Sequence, residues 1–404
     1  MNNNLKTSTI SVMKINILIF LSAAHLVTDL TAGALPVLLP IIQQSFNLSY
    51  SAAGVIPLLF NISSSVVQPL LGFASDKFKS RFLIPLGCFL SMTGLVLIGI
   101  AQSYLLVLLA VLLSGLGIAA FHPEASKNSR LASGYRLTTG MSIFIVGGAI
   151  GAALGSIITA KLLYFFSLKS ITLFIFPAIL MTLLFFLFKN KLPKEHDLKQ
   201  KTNNPNNYKT SNSVSDVFVL EKYPNFLIPL VILIILIIIR SWIQSGITHF
   251  MPLYYVNHMG HSSSYVSSLV VSFMLAGIAG VVLGGQIADK FGRKNTLVVT
   301  SALLCLLMLM LNFSTGVFTL ILFFIIGMLI FSTMATTIVI GQQLMPHRLG
   351  MASGLMTGFA VGMGGVGTLI LGTIADSLGA NTAFWVLILL PFSTLLLSFM
   401  LPNK

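Results

Sequence analysis

The sequence predicts an all-α integral membrane protein of twelve transmembrane helices arranged as two six-helix bundles. Three observations predict it. Charged residues make up only 8% of the 404 residues, where soluble domains carry about 25%. Uncharged apolar runs of about 20 residues, enough to cross a hydrocarbon layer of about 30 Å as a helix, recur from one end of the chain to the other. A polar loop pattern occurs twice, once in each half. A water-soluble globule is excluded.

The first apolar run, 15–42, is longer than the 7–15 residues of a signal-peptide core and is interrupted by Asp29, with no small-residue cleavage pattern clearly following it. It is expected to be retained as the first membrane helix. The runs 50–74, 82–101, 104–122, 137–166 and 169–189 complete a first set of six. Next comes Asn190 to Tyr223, rich in Lys, Asn and Ser, with too little apolar surface to form a packed core; a flexible linker is expected. The runs 224–256, 263–288, 295–312, 316–342, 349–375 and 380–401 form the second set. The expected organisation is therefore an N-terminal bundle over 1–189, a linker over 190–223 and a C-terminal bundle over 224–404.

A net charge of +14 would suggest a nucleic-acid partner if the basic residues shared a soluble face. Instead they fall in the segments between apolar runs, and on alternate sides. With the N-terminus inside, the inner segments hold Lys6, Lys14, Lys77, Lys79, Arg81, Lys127, Arg130, Arg136, the linker lysines, Lys290, Arg293, Lys294, Arg348 and Lys404, whereas the outer loops hold only Lys161 and Lys169. Short cytoplasmic loops retain Lys and Arg, so both termini and the linker are expected in the cytoplasm of a cell in whose inner membrane the chain sits. No nucleic-acid partner is implied. Cys88 and Cys305 lie far apart inside apolar runs, which points to small core residues rather than to a disulfide. No motif for hydrolysis, nucleotide binding or a paired metal site is present, so neither an enzyme, a cofactor nor a metal is expected.

The repeated loop reads Gly72-Phe73-Ala74-Ser75-Asp76-Lys77-Phe78-Lys79-Ser80-Arg81 in the first half and Gly285-Gln286-Ile287-Ala288-Asp289-Lys290-Phe291-Gly292-Arg293-Lys294 in the second. Both follow the second helix of their half. Pro36 has a counterpart in Pro252, and the glycine-rich fifth helix is echoed by the eleventh. Six crossings return a chain to its starting side, so the halves share one orientation.

With its duplicated G-x-x-x-D-K-F loop and twelve helices, the sequence resembles the major facilitator superfamily over nearly its whole length. Within that superfamily the segments from His25 to Pro40, Phe121 to Ser126 (FHPEAS) and Leu344 to Gly354 look like the fosmidomycin resistance group of efflux proteins. The resemblance implies alternating access by two rocking bundles. It also implies a latch at the repeated loops that breaks and reforms, carried by Gly72, Asp76, Arg81, Gly285, Asp289 and Arg293. The fourth helix lacks the intramembrane Arg of many drug/proton antiporters, and Ser156 follows Gly155 where their fifth helix has Pro, which leaves the direction of transport open.

Five residues are candidates for substrate or proton contact. Asp29 lies about 14 residues, roughly 21 Å, into the first helix, and an acid at such depth faces a cavity or a partner. His25, four residues earlier, shares its face. The pair serves proton coupling, substrate contact or static helix packing. His122 and Glu124 flank Pro123 at the expected end of the fourth helix, as interface anchors or as part of a gate or proton path. Arg240 lies about 14 residues into the seventh helix, at a depth near that of Asp29. It reads as a binder of an anionic substrate group on the central cavity, or as the ion-pair partner of Asp29. Gly147, Gly151 and Gly155, like Gly358 and Gly362, suit close helix packing or a hinge. Lone polar residues such as Gln68 and Gln244 are expected to pack helices or line the lumen.

The function expected from these features is a proton-coupled secondary transporter, an efflux antiporter for a small organic solute, anionic or phosphonate-like. The alternatives are an uptake carrier for a small organic anion or a sugar-like solute, and a non-transporting receptor of the same fold. Partners are a small molecule, protons and the lipid bilayer, with the chain acting as a monomer.

Overall fold

The structure, a computed structural model, describes residues 12–48, 50–78, 81–192 and 226–402. The expected linker therefore lies, from residue 193 on, outside the described residues. Among the described residues, twelve helices are long and apolar enough to span a membrane. In the first half these are α1 (Ile15–Ser45), α2 (Val55–Phe78), α3 (Leu83–Ile100), α4 (Tyr104–Ala132), α5 (Leu137–Phe165) and α6 (Leu168–Phe188). In the second they are α7 (Leu227–Phe250), α8 (Tyr265–Phe291), α9 (Arg293–Phe313), α10 (Gly316–Leu344), α11 (Leu349–Leu378) and α12 (Ala380–Met400). All twelve expected segments are present.

Packing repeats with an offset of six helices: α1 lies along α5 as α7 lies along α11, and α3 pairs with α6 as α9 pairs with α12. Small residues make the first contact close. A Cβ on Gly147, Gly151 or Gly155 would run into the backbone of Ser22, Leu26 or Leu30, so α5 presses on α1 at every fourth residue of both helices. The α8 to α9 turn is tight because Gly292 adopts φ +94°, a conformation that a side chain disfavours.

Among the helices that depart from regular geometry, two face each other. A π-helical turn at Ile62–Val66 interrupts α2 just before Gln68, and another at Gly354–Phe359 interrupts α11. Such turns shift the phase of the residues that follow and concentrate at functional positions. They sit against each other: a Cβ on Gly358 would meet the Gln68 side chain and the Ser65 carbonyl, and one on Gly362 the Ser65 side chain. Gly358 and Gly362 thus pack one half on the other.

One boundary differs in a way that matters. The fourth helix was expected to end near residue 122, where the polar sequence begins, but α4 continues through Pro123 to Ala132 with Glu124, Lys127 and Arg130 all buried. These charges are neither loop residues nor interface anchors. Glu124 and Lys127 pair with each other and with Ser75 of α2, which lets the helix carry those two charges inward.

Candidate functional site

Three side chains from two helices meet beside α5. His25 Nε2 stands 3.2 Å from Asp29 Oδ2, as their spacing on α1 predicts, and His122 of α4 places its Nε2 3.3 Å from Asp29 Oδ1 and 3.0 Å from His25 Nε2. Gly148 of α5 makes room, since a Cβ there would overlap both the His25 ring and the Asp29 carboxylate. His25 also stacks on Phe144, with ring centroids 4.2 Å apart. The Asp29 side chain keeps 18% of its surface exposed, so the cluster is enclosed but reachable by a proton.

Hydrogen-bond partners set the tautomers. His25 Nδ1 lies 2.8 Å from the carbonyl oxygen of Phe144, which can only accept, so Nδ1 carries a proton. The amide of Gln68 is oriented by its Nε2 donating to Ser64 O at 2.7 Å, and the same nitrogen faces His122 Nδ1 at 3.3 Å. That contact makes His122 Nδ1 the acceptor and leaves the ring proton on Nε2, directed at His25 Nε2 with Asp29 Oδ1 close by. The donor atoms of His25, Asp29 and His122 lie within 4.8 Å of one another, a composition that suits a divalent metal. A protonated Nε2 has no lone pair for a metal, however, so the arrangement is one for sharing a proton.

Glu124, two residues past His122, faces elsewhere. Lys127 Nζ sits 2.6 Å from Glu124 Oε2, 3.0 Å from Ser75 Oγ and 3.8 Å from Asp76 Oδ1. Asn128 donates to Glu124 Oε1 at 2.8 Å, and Ser75 donates to its other oxygen. The Glu124 carboxylate therefore closes a buried polar network under the repeated loop.

The two aspartates of that loop are used alike, each on the opposite half. Asp76, on α2, accepts from the backbone N–H groups of Gly350 and Met351 at 2.9 Å each, the second and third residues of α11. Asp289, on α8, accepts from Thr138 N at 3.1 Å and Thr139 N at 2.8 Å, the second and third residues of α5, and from Thr139 Oγ1 at 2.8 Å. Each carboxylate thus caps a helix of the other half, where the free N–H groups and the positive end of the helix dipole lie. Gly72 and Gly285 permit the approach: a Cβ on the first would strike the Gly350 and Met351 backbone, and on the second the Ser142 side chain and the Thr138 carbonyl.

The two arginines expected in the latch, Arg81 and Arg293, are placed differently. Arg293 is four residues from Asp289 and reaches it at 3.5 Å, also donating to Thr138 Oγ1 at 3.1 Å. Arg81 is five residues from Asp76 and donates to Lys189 O at 3.4 Å within its own half. A buried cation from α4, Lys127, stands next to Asp76 instead.

Arg240 is buried on α7 and its Nη2 donates to Leu329 O at 3.2 Å and Ile330 O at 3.0 Å. Those carbonyls are available because α10 is broken at Thr333, which is not helical. Nη1 has no hydrogen-bond partner. The expected alternative, an ion pair with Asp29, is not formed: among the described residues, Arg240 has no carboxylate within 4.0 Å. The guanidinium lines a small cavity of about 40 Å³ with Ser241, Gln244, Thr333, Thr337 and Thr357. Asp29 does not line this cavity, so the two residues of matching depth occupy separate sites. Phase about the helix axis, which depth leaves open, separates them.

The model of the Major Facilitator Superfamily matches residues 21–368. The chain belongs to this superfamily. The chain is 30% identical over 386 residues to the fosmidomycin resistance protein of Escherichia coli (strain K12), a match that covers 95% of this chain and 92% of that one. It is 31% identical over 390 residues to an uncharacterised MFS-type transporter of Bacillus subtilis (strain 168), covering 96% and 93%. Among solved structures, the superfamily transporter FucP in its outward conformation matches with a TM-score of 0.74 over 96% of this chain and 99% of its own. At 15% identity that likeness speaks to the fold alone. The protein is thus a multi-pass membrane transporter of the superfamily and not an enzyme.

On this superfamily fold the structure adds three residues to those expected at the site. Lys127 is expected as a loop charge and Gln68 as a helix-packing or lumen-lining group, and Thr357 is not among the expected site residues. Only Lys127 carried a local signal, since it follows Glu124 by three residues and so shares its helix face.

Proposed function

We propose that the protein is a proton-coupled efflux antiporter for a small organic anion of the phosphonate class, working as a monomer with both termini in the cytoplasm. The observation that carries the reading is Arg240: a buried guanidinium with one nitrogen unpartnered among the described residues, in a cavity where hydroxyls and an amide alternate with apolar side chains such as Ile237, Met334 and Val361. A cation so placed needs an anion, and its planar fork suits the paired oxygens of a phosphonate or carboxylate. The printed name of the Escherichia coli relative, which ties it to resistance to the phosphonate fosmidomycin, supports the class of ligand. The His25–Asp29–His122 cluster supplies the proton site. The Asp76 and Asp289 caps hold one face of the two six-helix bundles closed, and the linker tethers them. By the distribution of basic residues that face is cytoplasmic, so the conformation is closed to the cytoplasm.

Fosmidomycin flux in proteoliposomes under an imposed proton gradient tests the reading. Gradient-driven movement against the proton flow is expected, and Arg240→Lys is expected to weaken fosmidomycin binding at least tenfold, about 1.4 kcal/mol. Binding without flux would favour a receptor, and movement with the protons an uptake carrier. Equal affinity of Arg240→Lys for fosmidomycin and every other anion moved would refute the anion site.

A further inference from the structure

The anion cavity and the proton cluster are separate, yet one chain of hydrogen bonds joins them across the two halves. Thr357, on the cavity wall, places its hydroxyl 3.0 Å from Gln68 Oε1 and 2.7 Å from Ser353 O. Gln68 Nε2 donates to Ser64 O and faces His122 Nδ1, and His122 Nε2 faces Asp29 and His25. Thr357 belongs to α11 and Gln68 to α2, so the link exists only while these helices touch. Gln68 is buried and sits directly after the π-helical turn of α2, which sets its phase toward both neighbours.

We propose that Gln68 is the positioning residue that couples the two sites. It holds His122 in the tautomer that presents Nε2–H to His25 beside Asp29, and it does so most firmly while Thr357 of the cavity holds its own carbonyl oxygen. The argument rests on three acceptor and donor assignments. The single hydroxyl proton of Thr357 is shared between two acceptors. An anion on Arg240 in the same cavity is a stronger acceptor than either, because charged acceptors form the stronger hydrogen bonds. Once the hydroxyl turns to the anion, Gln68 Oε1 loses its donor and the amide keeps only its bond to Ser64 O, so the His122 proton is held less firmly on Nε2. Parting of α2 from α11 has the same effect.

The surroundings leave this control to Gln68. Of the ionisable groups near His122, His25 and Asp29 of α1 are its own partners, and the Cys88 thiol of α3 is buried on the Asp29 side. Glu124 and Lys127 of α4 are engaged with Ser75 and Asp76 of α2. Arg130, a further turn along α4, lies near Arg293 of α9. From α5 the cluster meets Phe144 and from α11 the link meets Thr357, neither of which ionises.

The proposal builds on the anion-site reading, and the test separates the two. Full-length protein with ¹⁵N-labelled histidine is reconstituted in nanodiscs at alkaline pH, where the rings are neutral, and the His122 signals are assigned by their loss in His122→Gln. Without ligand, wild type is expected to show a protonated Nε2 and a bare Nδ1, whereas Gln68→Leu and Thr357→Val show both tautomers. Saturating fosmidomycin is expected to move the wild-type signals toward the mixed pattern and to leave the two variants unchanged, with Thr357→Ser behaving as wild type. A ligand-free Gln68→Leu protein that keeps the wild-type pattern overturns the proposal, as does a ligand response that survives in both Gln68→Leu and Thr357→Val. Failure of wild type to bind fosmidomycin or any phosphonate overturns the anion reading, and the ligand-free comparison still judges whether Gln68 sets the tautomer.

Discussion

Replacing Asp289 by Ala should shift the protein strongly toward the state in which the Asp76 and Asp289 end is open. In the closed state the carboxylate accepts from two backbone N–H groups and one hydroxyl at the start of α5. Loss of a capping side chain costs about 0.5–2 kcal/mol, and loss of a carboxylate from a partly buried helix N-terminus about 1 kcal/mol more. Asp289 is enclosed, with 9% of its side chain exposed, so the larger figures apply. In the open state water serves the same N–H groups, so the loss of about 2–3 kcal/mol falls on the closed state alone. The ratio of closed to open then falls by roughly 30- to 160-fold, at tenfold per 1.4 kcal/mol. Asp289→Asn, which keeps one acceptor oxygen without the charge, should fall between the two. Ser142 lies buried between α5 and α8, so Ser142→Cys reports opening through its rate of alkylation by a water-soluble maleimide. The native thiols are buried and give a low background. The alkylation rate should rise with the open population in Asp289→Ala. An unchanged rate in both Asp289→Ala and Asp76→Ala would refute the capping argument.

Asp29→Asn, which keeps the shape but not the charge, should still exchange substrate across the membrane in counterflow and fail to concentrate it under a proton gradient; an Asn variant that still concentrates solute makes Asp29 structural. Lys127→Met leaves Glu124 buried without its cation, which should cost about 3–5 kcal/mol and lower the melting temperature in detergent, with Glu124→Gln/Lys127→Met recovering most of it. A double variant no more stable than the single one would show that the pair does not act as a unit. Gly148→Ala drives a methyl group into movable side chains, His25 and Asp29, whereas Gly151→Ala drives one into the Leu26 carbonyl. The first should fold and lose gradient-driven transport, and the second should lower the yield of folded protein; the reverse order on size exclusion would contradict the packing account.

Much of this protein was legible without a structure, because the signals are local or one-dimensional. Length and polarity of the apolar runs mark the spans, since a helix in lipid must satisfy its own backbone and exclude charge. Charge asymmetry gives an expected orientation, and the repeated loop marks the two halves. His25 and Asp29 could be paired from a spacing of four, and Asp289 with Arg293 by the same rule. Contacts between helices were not legible in this way. Which residue of α4 meets Asp29, which cation stands by Asp76, and whether Arg240 meets Asp29 at all depend on the rotation of each helix about its axis. That rotation is set by glycines that bring α5 onto α1 and by π-helical turns that advance the phase of α2 and α11. Sequence alone determined that a polar cluster must exist at depth, because an isolated acid there is too costly. Only the tertiary structure decided that His122 completes it, that Lys127 rather than Arg81 stands by Asp76, and that Gln68 and Thr357 join it to the cavity, because a few tens of degrees of helix rotation separate one partner from another.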